Sequence, residues 1–88
     1  MRVCEICGST HNIERHHVFN GAYRKKSERY KAVADLCHKC HNEPPNGVHH
    51  NAENMLALKA KYQRLIMLRY GMNTDEFIQI FGKNYIGE

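Results

Sequence analysis

Apolar residues recur at helical spacing only in the second half of the chain. From about residue 51 to 70, Met55, Leu58, Tyr62, Leu65 and Ile66 fall on one face, and Gly71 stops the pattern. Asn73, with Glu76 three residues on, has the form of a capping box and predicts a second helix through Phe77, Ile78, Ile80 and Phe81 to Gly82. Tyr62, Phe77 and Phe81 are expected in the core.

The first half reads differently. Residues 12–19 alternate poorly, but Ile13, Val18 and Phe19 favour a strand ending near two histidines, and Asn20-Gly21 marks a turn after it. Residues 32–36 suit a returning strand. Between them, residues 22–31 are polar and basic, with loop and short helix both open. Pro44-Pro45-Asn46-Gly47 interrupts any helix begun near Cys40, because prolines remove backbone donors and restrict the residue before them. A turn then presents His49 and His50.

With 88 residues, 42% of them apolar and no Trp, the chain has room for one domain and one modest core. So small a core needs a staple: a metal, a disulfide or a partner. The formal charge is +4 with histidine neutral, and Arg24, Lys25, Lys26, Arg29 and Lys31 face Glu28 alone within residues 24–31. Such a cluster is either a solvated face or a surface for a polyanion, nucleic acid first. No apolar run reaches the length of a membrane span, and Met1-Arg2-Val3-Cys4 lacks the apolar region of a signal peptide. The expected setting is intracellular and cytoplasmic, where paired cysteines more often hold metal than each other.

Cys4, Cys7, Cys37 and Cys40 form two Cys-x2-Cys pairs. Four soft ligands on two knuckles suit a tetrahedral structural Zn2+ that leaves no open position; iron, buried thiols and a disulfide are the other readings. Seven histidines remain. His16, His17, His41, His49 and His50 lie close to the knuckles and the later turn, and three imidazoles meeting there would bind a transition ion with positions left open. His11 and His38 are read as having no role at either site, as polar surface or satisfied core residues.

Cys4-x2-Cys7, Arg15-His16-His17-Val18 and Leu36-Cys37-His38-Lys39-Cys40-His41-Asn42 together resemble the HNH endonuclease family, the ββα-metal nucleases. The chain is particularly similar to small HNH proteins encoded by bacteriophages, a likeness that extends to its HHVF, GVHHN and FGKNY segments. The resemblance implies a small α+β fold: a zinc-stapled ββα-metal hairpin–helix core over residues 1–50 with a C-terminal helical extension over 51–88. It also implies His17 as the general base and His16 and His41 as ligands of one catalytic divalent metal, Mn2+, Mg2+, Ni2+ or Zn2+. His49 is the preferred third ligand and His50 its rival. The middle Asn of the family falls on Ala32, and Asn20 is the loop residue that could take its place.

The function so implied is hydrolysis of a DNA phosphodiester. Neutral His17 takes a proton from the attacking water, the metal neutralises charge at the scissile phosphate, and Arg24, Lys25, Lys26 and Arg29 contact phosphates of double-stranded DNA without reading bases. Low sequence specificity follows, no membrane partner is expected, a homodimer is left open, and a phage-encoded chain would work in the host cytoplasm. The competing readings are a non-enzymatic zinc-stabilised module that binds DNA or RNA, and a phage accessory protein that acts through a protein partner.

Overall fold

In the computed structural model, which describes residues 2–86, strand β1 (Ile13–His17) pairs antiparallel with strand β2 (Val33–Cys37). The register sets Ile13 opposite Cys37, Glu14 opposite Leu36 and His16 opposite Ala34. Side chains alternate across a strand, so Glu14 and His16 share the inward face with Ala34 and Leu36, and Arg15 and His17 take the other. Both strands depart from the residues expected. Asn12 lies at φ 53°, outside the strand region, and the N–H and C=O of Phe19 are both taken by Ser27 Oγ rather than by a neighbouring strand. Ala32 gives its N–H to Ser27 O at 2.6 Å, so β2 starts one residue late and ends on Cys37.

The basic segment between the strands is helical. A 3-10 turn, Gly21–Tyr23, leads into α1 (Arg24–Arg29), and Lys31, at φ 60°, turns the chain out of it. Helix α2 (His38–Asn42) follows β2 directly and stops ahead of the two prolines; a second 3-10 turn, Val48–His50, precedes the long helix α3 (Ala52–Tyr70). Asn51 caps α3 by accepting from Asn54 N at 2.9 Å, and Gly71, at φ 63°, closes it in the left-handed region that glycine adopts without penalty. Helix α4 (Thr74–Phe81) starts with the reciprocal capping box of Asn73 and Glu76.

The core lies where α3 and α4 cover the inward face of the hairpin. Leu58, Tyr62 and Ile66 of α3 and Phe77 and Phe81 of α4 are buried with Val18, Phe19, Ala34 and Leu36, whereas Met55 and Leu65 are half-buried at its edge. Phe19 packs on Phe81 and Phe77 with ring centroids 4.5 and 5.6 Å away. One buried residue of α3, Gln63, interrupts the apolar face. Its amide donates to Asn84 Oδ1 at 2.8 Å and accepts from Tyr85 N at 2.7 Å, which fastens the FGKNY segment to the core. Among the described residues no helix is long and apolar enough to cross a membrane. Met1, Gly87 and Glu88, the ends of the single domain expected over 1–88, lie outside the described residues.

Candidate metal centres

The first knuckle is a tight turn. Gly8 N donates to Cys4 O at 3.0 Å, Cys4 N to Ser9 O at 2.8 Å, and Gly8 lies at φ 81°, where a side chain would be strained. A further bond, Glu5 N to Asp35 O at 2.9 Å, docks the knuckle beside β2. Cys37 at the end of β2 and Cys40 in α2 complete the set. All four are free thiols whose sulfurs lie within 4.8 Å of one another. The Cys7 and Cys37 Sγ atoms are 3.6 Å apart, near the roughly 3.7 Å that two thiolates on a tetrahedral zinc require at a Zn–S length of about 2.3 Å. Burial alone would raise the Cys4 thiol, but the backbone N–H groups of Cys37, Cys7 and Ile6 aim at it and bring it down to about 6. Cys40 is pushed up by burial and by hydrogen bonds to the other three thiols. One low-pKa sulfur amid close neighbours is the state a bound cation would resolve by deprotonating all four. The residues fit a closed, four-thiolate metal site.

The second group takes one imidazole from each of three elements: His16 from β1, His41 from α2 and His49 from the 3-10 turn after the prolines. Their ligand nitrogens lie within 4.8 Å of one another, with ring centroids 4.8–5.1 Å apart. His41 Nε2 and His49 Nε2 are 3.1 Å apart, close to the roughly 3.3 Å spacing of two nitrogens on one tetrahedral ion. His16 is 2% exposed, and its Nε2 has no hydrogen-bond partner. A buried polar atom left without a partner is costly, and a cation is the partner that two converging imidazoles leave room for. Burial, and then the charges of His41, His49 and His17, drive the His16 pKa down to about 4, so the ring is neutral and its lone pair is free to ligate at neutral pH. Burial also lowers His49. The residues fit a three-imidazole ion.

The two centres are built into each other. Helix α2 supplies Cys40 to one and the adjacent His41 to the other. Glu14, two residues before His16 on the same strand face, accepts from His41 Nδ1 at 2.7 Å and from His38 Nδ1 at 2.9 Å. Those two bonds hold its carboxyl below the usual carboxylate range. Three of the expected ligands therefore meet, and His50 is not with them: it stands exposed beside His49, with its backbone N–H on Gly47 O. Because α2 is only five residues long, the third imidazole has to come from the next turn rather than from the same helix.

A cavity of about 220 Å³ opens over the histidine centre, lined by His16, His41 and His49 together with His17, Arg15, Asn20, Gly21 and Arg24. His17 sits on the opposite strand face from His16, yet both line this cavity. The ring of His17 bonds through Nε2 to Glu28 Oε2 at 2.6 Å. Of the basic run, Arg24 lines the cavity. Lys26 instead donates to Ile80 O at 2.9 Å, and the Arg29 guanidinium lies 5.8 Å from the Tyr30 ring centroid. Ala32, where the sequence resemblance expected an Asn, is fully buried, and Asn20 is at the cavity wall.

Glu14, Glu28 and the cavity role of Arg15 were not foreseen from sequence. Glu14 could have been found by counting two residues back from His16 along a strand, and Glu28 by its isolation among cations. No family model, curated protein or solved structure matches the chain.

Proposed function

We propose that the chain is a metal-dependent nuclease that hydrolyses the phosphodiesters of double-stranded DNA with little sequence preference. The observation that carries this reading is the asymmetry between the centres. The thiolate group is closed, whereas the three-imidazole group faces a cavity that also holds a candidate base, His17, and two guanidinium groups, Arg15 and Arg24. The likeness to HNH nucleases in the HHVF and Cys-x2-Cys segments supports the same assignment.

In this reading Arg15 and Arg24 grip non-bridging phosphate oxygens, the role that planar guanidinium forks serve best. Neutral His17 accepts the proton of the attacking water. A divalent ion held by His16, His41 and His49 would supply Lewis-acid neutralisation at the phosphate. The cysteine centre contributes to folding and takes no part in the chemistry.

A second reading, a non-enzymatic zinc-stabilised module that binds DNA or RNA, is favoured by a specific observation. Ala32, where the resemblance expects the residue that orients the base, is fully buried and carries no polar side chain. The Cys4 group, the basic surface of α1 and the open cavity serve that module equally well.

Zinc-loaded protein incubated with supercoiled plasmid, with and without Mn2+, Mg2+ or Ni2+, separates the two. The nuclease reading expects metal-dependent nicking that falls by about 100-fold or more in His17→Ala while DNA retardation persists. Retardation without nicking, with one tightly held zinc per chain, would establish the module instead.

A further inference from the structure

Among the described residues the His17 ring makes one hydrogen bond, and it determines what the other side of the ring can do. Glu28 Oε2 is 2.6 Å from His17 Nε2, and that bond holds the Glu28 carboxyl below its usual range. An ionised carboxylate only accepts, so Nε2 must carry the proton. In the neutral ring Nδ1 is then the lone pair, and among the described residues it makes no hydrogen bond of its own.

Glu28 is exposed, but the helix that carries it is fixed in place. Its neighbour Ser27 is fully buried and is pinned by three hydrogen bonds: Oγ donates to Phe19 O at 2.6 Å and accepts from Phe19 N at 2.8 Å, and its carbonyl accepts from Ala32 N at 2.6 Å. Those bonds lock α1 across the end of the hairpin, two residues beyond His17. Arg15 and Arg24, both in reach of the Glu28 charge, add to the field that keeps it ionised.

We propose that Glu28 is the positioning residue of His17: it holds the imidazole as the Nε2–H tautomer and leaves Nδ1 as the acceptor, taking over the orienting task for which the chain has only Ala32. The inference rests on the nuclease reading for its consequence but not for its geometry. In the step it serves, the water proton passes to Nδ1 and the water oxygen bonds to phosphorus. The P–O3′ bond then breaks, and the departing oxygen takes a proton from solvent. The imidazolium formed is stabilised by the carboxylate already on Nε2.

The test has two arms on the zinc-loaded full chain. Long-range 1H–15N correlation spectra of uniformly labelled protein read which His17 nitrogen bears hydrogen. The expected result is a single Nε2–H tautomer, converting to a mixture with appreciable Nδ1–H in Glu28→Ala. An Nδ1–H ring in the unaltered protein, or identical spectra in the variant, overturns the proposal. In the second arm plasmid nicking by Glu28→Ala falls by about 10- to 100-fold, part of the gain a positioned base contributes, with metal content and DNA affinity within about 2-fold. Equal nicking overturns it. Should no form of the protein cut DNA, the nuclease reading fails, and the tautomer arm alone still upholds or sinks the Glu28 assignment.

Discussion

Glu14 Oε1 accepts a hydrogen bond from His41 Nδ1 at 2.7 Å, and so turns His41 Nε2 toward His49 and the orphaned nitrogen of His16. A carboxylate behind a ligating imidazole fixes its tautomer and raises its basicity. His38 takes the other carboxylate oxygen at 2.9 Å and keeps Glu14 from swinging away, so this histidine, read from sequence as having no role at either site, has a place behind the centre.

Replacing Glu14 with Ala should therefore weaken metal binding at the histidine centre by about 10- to 100-fold and leave the cysteine centre untouched. Titration calorimetry on protein already carrying one zinc per chain measures this. Unchanged affinity would remove Glu14 from the site.

What could be read from the chain is what depends on short-range spacing. The two Cys-x2-Cys knuckles, the Asn73 and Glu76 capping box and the apolar face of α3 each need only a few residues of context, and each is found where spacing puts it. The choice of His49 over His50 is of another kind, because it depends on how the 3-10 turn after Gly47 is rotated against α2. Helix α1 has no apolar period and is held through Ser27 by tertiary bonds to Phe19 and Ala32, so nothing local announced it. Gln63 shows the same limit. A polar residue on the buried face of α3 makes sense only once Asn84 and Tyr85 are seen to come back to it.

The rotation of that turn gives a direct comparison. His49→Ala should lose the second metal ion, and His50→Ala should keep it, because only His49 has its nitrogen among the other two. Metal content after dialysis, two ions per chain against one, reads the difference. Two ions in His49→Ala would return His50 to the ligand set.

Acid should weaken the fold through His16. Its pKa is about 4 in the folded chain against 6.5 for the free side chain, so above pH 6.5 the ring is neutral in both states. Between 6.5 and 4 the unfolded chain binds a proton that the folded chain refuses, and stability falls as pH falls, by at most about 1.4 kcal/mol per pH unit. His49, also lowered by burial, acts in the same direction. Urea unfolding of the native chain and of His16→Leu, each with one equivalent of zinc, should show the steeper loss between pH 6.5 and 5 in the native chain. Parallel slopes would contradict the buried, neutral imidazole.

Ser27→Ala removes a hydroxyl that both donates to and accepts from the buried backbone of Phe19. The Phe19 N–H is left buried without a partner, which costs about 1–3 kcal/mol. Urea unfolding at pH 7 should show that loss. A change of a few tenths of a kcal/mol would mean that the segment relaxes to find water.

Gly47 is needed for space, since its φ of −58° suits any residue. A Cβ there would stand 2.5 Å from Glu43 N and 2.7 Å from Glu43 O, and backbone atoms cannot rotate aside as a side chain would. Gly47→Ala must therefore push the 3-10 turn away from α2, carrying His49 with it, at an overpacking cost of about 1–3 kcal/mol. Gly71→Ala supplies the contrast: its φ of 63° strains alanine by roughly 1 kcal/mol, but a Cβ there meets nothing within 4 Å and the site lies elsewhere. Thermal unfolding should register both substitutions. Only Gly47→Ala should also weaken metal binding at the histidine centre, and equal affinity in the two variants would show that the turn can shift without moving the imidazole.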